Sequence, residues 1–409
     1  MLWKKLYVLS DMNYSNLHQF YVDGTPVTMD AYYGGAWRTV LVGGLNSGGA
    51  GYYALDVTNP AAPVALWEFC ADSTVCNVSD PDLGLSYGVP IITKRASDGK
   101  WVVLVTSGYN NLSGTTYKGQ EFLYVLDLAT GQVLQKLGTG AGSATTPGGL
   151  AKLAAWADNF WQDNTTKYVY GGDLLGNVWR FDLTASPATV QLLGILTDKL
   201  GNRQPVTTRP ELGSIQSNRV LFIGTGEYLG QSDLSTTNTQ TLYAFKDPGT
   251  ATSPYIPDLR DSGTLVQQTI SNIDPVTRTV SHNPVDWSQN NGWYVDFPSG
   301  GERLNVDPQL VLGTLVVDTN VPGTDACTVG GSSWEMEFDF STGSYVSTST
   351  NQVLGVANQN AVTVGYVVVQ LPDGTLKGIT TDSTSTKTTE GVNVGRSPLN
   401  GKRVGWRQL

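Results

Sequence analysis

Histidine is nearly missing, with only His18 and His282 among 409 residues. Chemistry that needs a His-rich metal site or several imidazole acid–bases is thereby excluded. Charge is sparse as well, at 15% Asp, Glu, Lys and Arg, against about 25% in an average soluble domain. The balance is acidic, at −10, so the basic surface that a phosphate backbone requires is lacking and no nucleic-acid partner is expected. There is no Lys/Arg run to hold anionic lipid. No stretch approaches the ~20 apolar residues of a spanning helix, so no membrane span is expected either. The apolar run from Leu6 to Leu9 is too short for a signal peptide. Cysteine is limited to three residues. Cys70 and Cys76 bracket the polar loop FCADSTVC, which fits either a local disulfide in an oxidising compartment or two free thiols. Their spacing is not C-x-x-C, so neither a zinc knuckle nor a thioredoxin-like site is indicated. Cys327 is the odd one, left to pair outside the chain or to stay buried and free.

What is abundant is glycine, 47 of 409 residues, together with Thr, Ser, Val, Tyr and Trp. These are residues of strands and tight turns, so an all-β chain is expected and a helical bundle or coiled coil is not. One pattern recurs, an apolar strand running into Asp and a turn. It reads YYALDVTNP at 52–60, LYVLDLATG at 123–131 and VWRFDLTAS at 178–186. Weaker copies are LYAFKDPGT at 242–250, WYVDFPSGG at 293–301, EFDFSTGSY at 337–345 and VVVQLPDGT at 367–375. Alternation in LYVLDL puts Leu123 and Val125 on one face and Tyr124, Leu126 and Leu128 on the other, both apolar, as in sheets packed on two sides. Asp56, Asp127 and Asp182, with Asp296 and Asp339 in the weaker copies, read as strand-ending turn acceptors rather than catalytic acids. A Val/Leu/Gly-rich strand precedes several copies, as in WVVLVTSGYNN at 101–111. A strand pair repeated seven times predicts a seven-bladed, modified β-propeller, whose closure would remove exposed sheet edges. Residues 1–17 read as a lead-in and 18–409 as the propeller, with long loop insertions at about 249–292 and 375–398.

An ordered series of motifs then resembles a known family. It runs from HQFYVDGTPVTMDA at His18 through WRTVLVGGLNSGGAGYYALDVTNP, LGLSYGVPII, YGGDLLGNVWRFDL, QPVTTRPEL and GWYVDFPSGGERL to the closing GKRVGWRQL. The chain is similar to the C-terminal propeller of the PilY1/PilC proteins of type IV pili. That resemblance implies a secreted protein acting from the periplasm to the cell surface at the pilus tip, its signal peptide lying outside this chain. It implies roles in pilus assembly, opposition to retraction and tip adhesion, with major or minor pilins and a surface or host receptor as partners. It also implies a calcium loop just before Y-x-G-D, with oxygen ligands at positions 1, 3, 5 and 9. Counted back from Tyr170, these fall on Asn159, Trp161, Asp163 and Lys167. Only Asn159 and Asp163 offer side-chain oxygen. Either the loop has lost calcium, with Lys167 pairing with Asp158 or Asp163, or Asp158 shifts the register and a weak site survives. No other cofactor is expected.

The main enzymatic alternative is a quinoprotein-like dehydrogenase propeller, since LDLATGQVL resembles its repeats; a non-enzymatic relative of that reading is an outer-membrane assembly scaffold. The chain has no Cys-Cys pair, and Val133 and Leu134 follow Gly131 where a docking Trp would come. No catalytic residues are expected. Glu211 and Glu227 read as turn or strand acids, and Arg180 and Arg303 as candidates for structural ion pairs. Tyr255, Trp287 and Trp293 flank the 249–292 insertion and are candidates for an exposed aromatic binding cluster.

Overall fold

The computed structural model describes residues 1–114, 116–159, 162–249, 258–323 and 330–395. The chain divides into two compact units, the first comprising Met1–Asp173 and Trp179–Leu192, the second Leu174–Val178 and the chain from Leu193.

In the first unit, Val27–Tyr33, Ala36–Gly44, Gly51–Asp56 and Val64–Cys70 form an antiparallel meander. A second meander follows in Ile91–Arg95, Trp101–Thr106, Phe122–Asp127 and Val133–Gly138. A third orders Leu153–Trp156, Tyr168–Gly172, Asn177–Asp182 and Thr189–Ile195. Alternation places the apolar side chains as the sequence predicts. Phe122, Tyr124 and Leu126 enter one core with Tyr52, Trp67 and Phe69, while Leu123 and Val125 enter another with Val169, Trp179 and Phe181. Each such side chain, fully buried, contributes about 1.5–3 kcal/mol.

The second unit holds a ten-stranded sheet made of two meanders. One is Glu211–Ile215, Asn218–Gly224, Thr241–Lys246 and Gly292–Asp296. The other is Gln309–Val311, Thr314–Pro322, Gly331–Asp339 and Gly355–Asn358. Leu265–Asn272, parallel to Gly292–Asp296, and Thr277–Val280 bridge them. A three-stranded sheet of Thr363–Gln370, Leu376–Asp382 and Lys387–Gly391 completes the described chain.

Two expectations need correction. The insertions are not simply loops, because 249–292 contributes Leu265–Asn272 and Thr277–Val280, and 375–398 contributes a hairpin. Their Thr- and Ser-rich strands show too little apolar alternation to be read as strands. Nor does each repeat copy found a sheet of its own. The fourth and fifth copies are neighbouring strands of one meander, pairing Thr241 with Asp296 through Phe245 with Gly292, so the number of copies is not a number of blades.

Candidate functional site

The strand-ending aspartates act as turn acceptors. Asp127 accepts from the backbone N–H of Ala129 (3.1 Å) and Thr130 (3.0 Å) and from the Thr130 hydroxyl (2.8 Å). Asp339 likewise accepts from the backbone N–H groups and hydroxyls of both Ser341 and Thr342. Asp56 and Asp182 bind the N–H and hydroxyl of Thr58 and Thr184. The Thr58 bonds, with help from Arg38, hold the Asp56 carboxyl down at about 2. Asp296 departs from the pattern and pairs with Arg260 at 2.5 Å.

Two of these turns carry a docked tryptophan that sequence reasoning missed. The Trp67 indole N–H donates to the Leu128 carbonyl at 2.8 Å, and a Cβ on Gly131 (φ +71°) would come within 2.7 Å of its ring. The Trp293 indole donates to the Phe340 carbonyl at 3.1 Å, and a Cβ on Gly343 (φ +68°) would lie 2.4 Å from the ring. In both cases glycine supplies the left-handed turn and leaves room for the ring. The docking Trp is therefore present, delivered by a distant strand rather than by the residues following Gly131.

The proposed aromatic binding cluster does not form. Trp293 is 0% exposed and Trp287 is 4% exposed. Trp287 donates its indole N–H to the Ser341 carbonyl at 2.7 Å, so both rings serve the 339–343 turn. Tyr255 lies outside the described residues, as does Cys327. Cys70 and Cys76 are joined by a disulfide with Cα atoms 6.0 Å apart.

In the 158–167 segment, Lys167 pairs with Asp158, and Lys94 from a neighbouring strand pairs with Asp163. The Lys94 contact, reinforced by the Thr165 hydroxyl at 2.7 Å, holds the Asp163 carboxyl below its usual range. Asn159 turns its amide to Gln162 at 2.8 Å. A lysine thus stands against each acid where a cation would otherwise be needed.

The string GLSYG at 84–88 has the G-x-S-x-G spacing of a nucleophile elbow. Ser86 is fully buried, donates to the Gly51 carbonyl at 2.7 Å and accepts from the Leu45 N–H at 2.8 Å. It staples backbone, and the two arginines singled out above are likewise engaged in structural contacts. Arg303 binds backbone carbonyls, and Arg180 bonds to Gln191 and lies 5.5 Å from the Tyr168 ring centroid. Glu211 lies 3.6 Å from Arg209. His282 bonds Ser344 at 2.9 Å, and His18 packs on Phe20.

The family model described as the PilY1 beta-propeller domain matches residues 1–191. The crystal structure of the Pseudomonas aeruginosa PilY1 C-terminal domain superposes with a TM-score of 0.73 and 29% identity, covering 92% of this chain and 86% of that one. The chain carries a PilY1-family β-propeller domain. Type IV pilus biogenesis factor PilY1 of P. aeruginosa is 34% identical over 88% of this chain and 34% of the relative. A PilY1 homolog of Xylella fastidiosa is 31% identical over 99% of this chain and 32% of the relative. The chain therefore spans about a third of the length of the curated relatives it matches.

Within this PilY1-type propeller, the second unit also buries acids that no sequence motif marked. Asp318 stands directly opposite Glu335 across two strands, and Glu337 follows on the same face. Asp318 is 2% exposed, and its Oδ1 and the buried Tyr366 hydroxyl have no hydrogen-bond partner among the described residues. Thr380 donates to Glu335 at 2.7 Å, and Asn393 donates to Glu337 at 2.6 and 3.0 Å. Burial, with repulsion from Glu335, pushes the Asp318 carboxyl well up. Burial, outweighing the Asn393 bonds and aided by Glu335 and Glu390, raises Glu337 to about 7. Among the described residues no helix is long and apolar enough to cross a membrane.

Proposed function

We propose that this chain is the propeller part of a type IV pilus biogenesis factor that works through protein contacts with major or minor pilins, without catalysis. In this reading it promotes pilus assembly, opposes retraction and contributes to adhesion at the pilus tip, acting between the periplasm and the cell surface. The observation that carries it is the match to the PilY1 C-terminal domain over 92% of the chain. The Cys70–Cys76 disulfide supports an oxidising compartment. Calcium is not held in the 158–167 segment, because Lys167 and Lys94 already neutralise Asp158 and Asp163.

The test is to delete the gene in its native cell and count surface pili by electron microscopy, with and without a working retraction motor. Loss of pili that return when retraction is disabled supports opposition to retraction, and loss in both strains supports a need in assembly. Normal pili in both strains contradict the assembly and anti-retraction roles. A quinoprotein-like reading gains one point from the docked Trp67 and Trp293, although the chain lacks the adjacent cysteines of such enzymes. A quinone absorbance that co-purifies with the native protein would move the account to that reading.

A further inference from the structure

The second unit contains a cavity of about 240 Å3, lined among others by Arg203, Glu227, Thr236, Asn238, Gln240 and Arg303. At ~30 Å3 per water it has room for about eight waters, less than a drug-sized pocket and enough for a small metabolite. Its lining is mostly polar, with Pro205 and Gly301 beside the polar side chains, and it carries charges of both signs.

Arg303 is only 2% exposed. It donates to the carbonyls of Gly301 (2.9 Å), Glu227 (2.8 Å), Asp233 (2.7 Å) and Thr236 (2.9 Å). Four carbonyls leave one of the five guanidinium N–H groups unused, and among the described residues no carboxylate forms an ion pair with it. Arg203 is exposed and holds Asn177 by a long 3.4 Å bond. The same lining holds two acceptors in want of donors. The Gln240 Oε1 is buried without a partner, on a residue that is 4% exposed. Among the described residues nothing donates to the Glu227 carboxylate. Burial raises the Glu227 carboxyl, the Asp233 charge adds to this and Arg303 opposes it.

A buried polar group without a partner is costly, and a charge without a countercharge more so. Glu227 and the two arginines face one space without pairing with one another. A neutral polyol would bond to both sides but neutralise neither. A ligand with a cationic donor at one end and an anionic acceptor at the other satisfies all of them together. We propose that this cavity binds a small zwitterion of the free α-amino-acid class. Its ammonium is held by Glu227 and Gln240, and its carboxylate by Arg203 and the remaining Arg303 N–H. This site is independent of the pilus reading.

The test uses the twenty free L-amino acids, their N-acetyl and amide derivatives, and glucose as probes in thermal-shift and titration calorimetry on the whole chain. At least one free amino acid is expected to raise the melting temperature and bind in the millimolar range or tighter. Its N-acetyl form, which lacks the ammonium, and its amide, which lacks the carboxylate, are each expected to bind about tenfold or more weakly. Glu227→Gln and Arg203→Gln are expected to weaken the free amino acid by a similar factor, Arg203→Gln without loss of fold because the residue is exposed. The proposal is overturned if none of the twenty binds, if both variants bind as the wild type does, or if glucose binds while the amino acids do not.

Discussion

In the 158–167 segment, Asp158 and Asp163 each meet a lysine at a largely exposed surface. In the 318–337 strands, buried Asp318 and half-buried Glu335 and Glu337 share a face with Tyr366, with Glu390 adding repulsion. No ion pair among the described residues reaches them. The first group is compensated, and its charges lie close to water, so little free energy is at stake. The second pays for burial with no countercharge and must take up protons instead. Acids of the same kind therefore do different things in one chain, and burial with countercharge decides which.

The largest expected effect is on pH dependence. Carboxyls with raised native pKa values bind protons more tightly when folded, so their contribution is full below the unfolded range and is lost as pH rises through the native values. Glu337 alone, moving from 4.5 to about 7, corresponds to a loss on the order of 3 kcal/mol at 1.36 kcal/mol per unit. Denaturant unfolding of the wild type is expected to show stability falling between about pH 4.5 and 8, with Glu337→Gln flattening the slope. A flat wild-type profile would erase the contrast.

Next in size is Asp318→Asn, which keeps the shape and removes the charge. It is expected to raise stability at pH 8 by about 1–3 kcal/mol and to change little at pH 5, by the cost of an uncompensated buried group. Equal effects at both pH values would point to packing rather than charge.

The third outcome concerns calcium. Trp161→Asp combined with Lys167→Asp supplies the two absent oxygen ligands, and the double variant is expected to gain calcium binding in calorimetry where the wild type shows none. Micromolar binding by the wild type, abolished by Asp163→Ala, would contradict the compensated reading. The smallest effects belong to Lys94→Ala and Lys167→Ala, each expected to cost about 0–1 kcal/mol at low salt and less at high salt.

The sequence showed most of what depends on near neighbours. The period-2 alternation in LYVLDL assigns its residues to the correct two cores, and the Asp turns are legible because donor and acceptor are two or three residues apart. The docked tryptophans were not legible, since Trp67 reaches Leu128 from 61 residues away. Trp287 and Trp293 were misjudged for the same reason, as indoles bracketing a polar insertion look exposed until their distant turn is known. The acidic face was hidden because only strand register sets Asp318 opposite Glu335. The Thr-rich hairpin of Leu376–Asp382 and Lys387–Gly391 was hidden because its second strand is exposed along its length and carries no apolar stripe. The Arg203–Glu227 cavity had no sequence signal beyond three isolated charges, Arg203, Glu227 and Arg303, since four separate stretches of chain build it.

The account rests on a propeller that works by protein contact at a type IV pilus, and direct binding tests that claim. The measurement is biolayer interferometry of the purified chain against the separately purified soluble domains of each major and minor pilin from the same cell. Saturable binding to at least one of them is the result expected. Failure of the folded, disulfide-bonded chain to bind any of them would contradict the account.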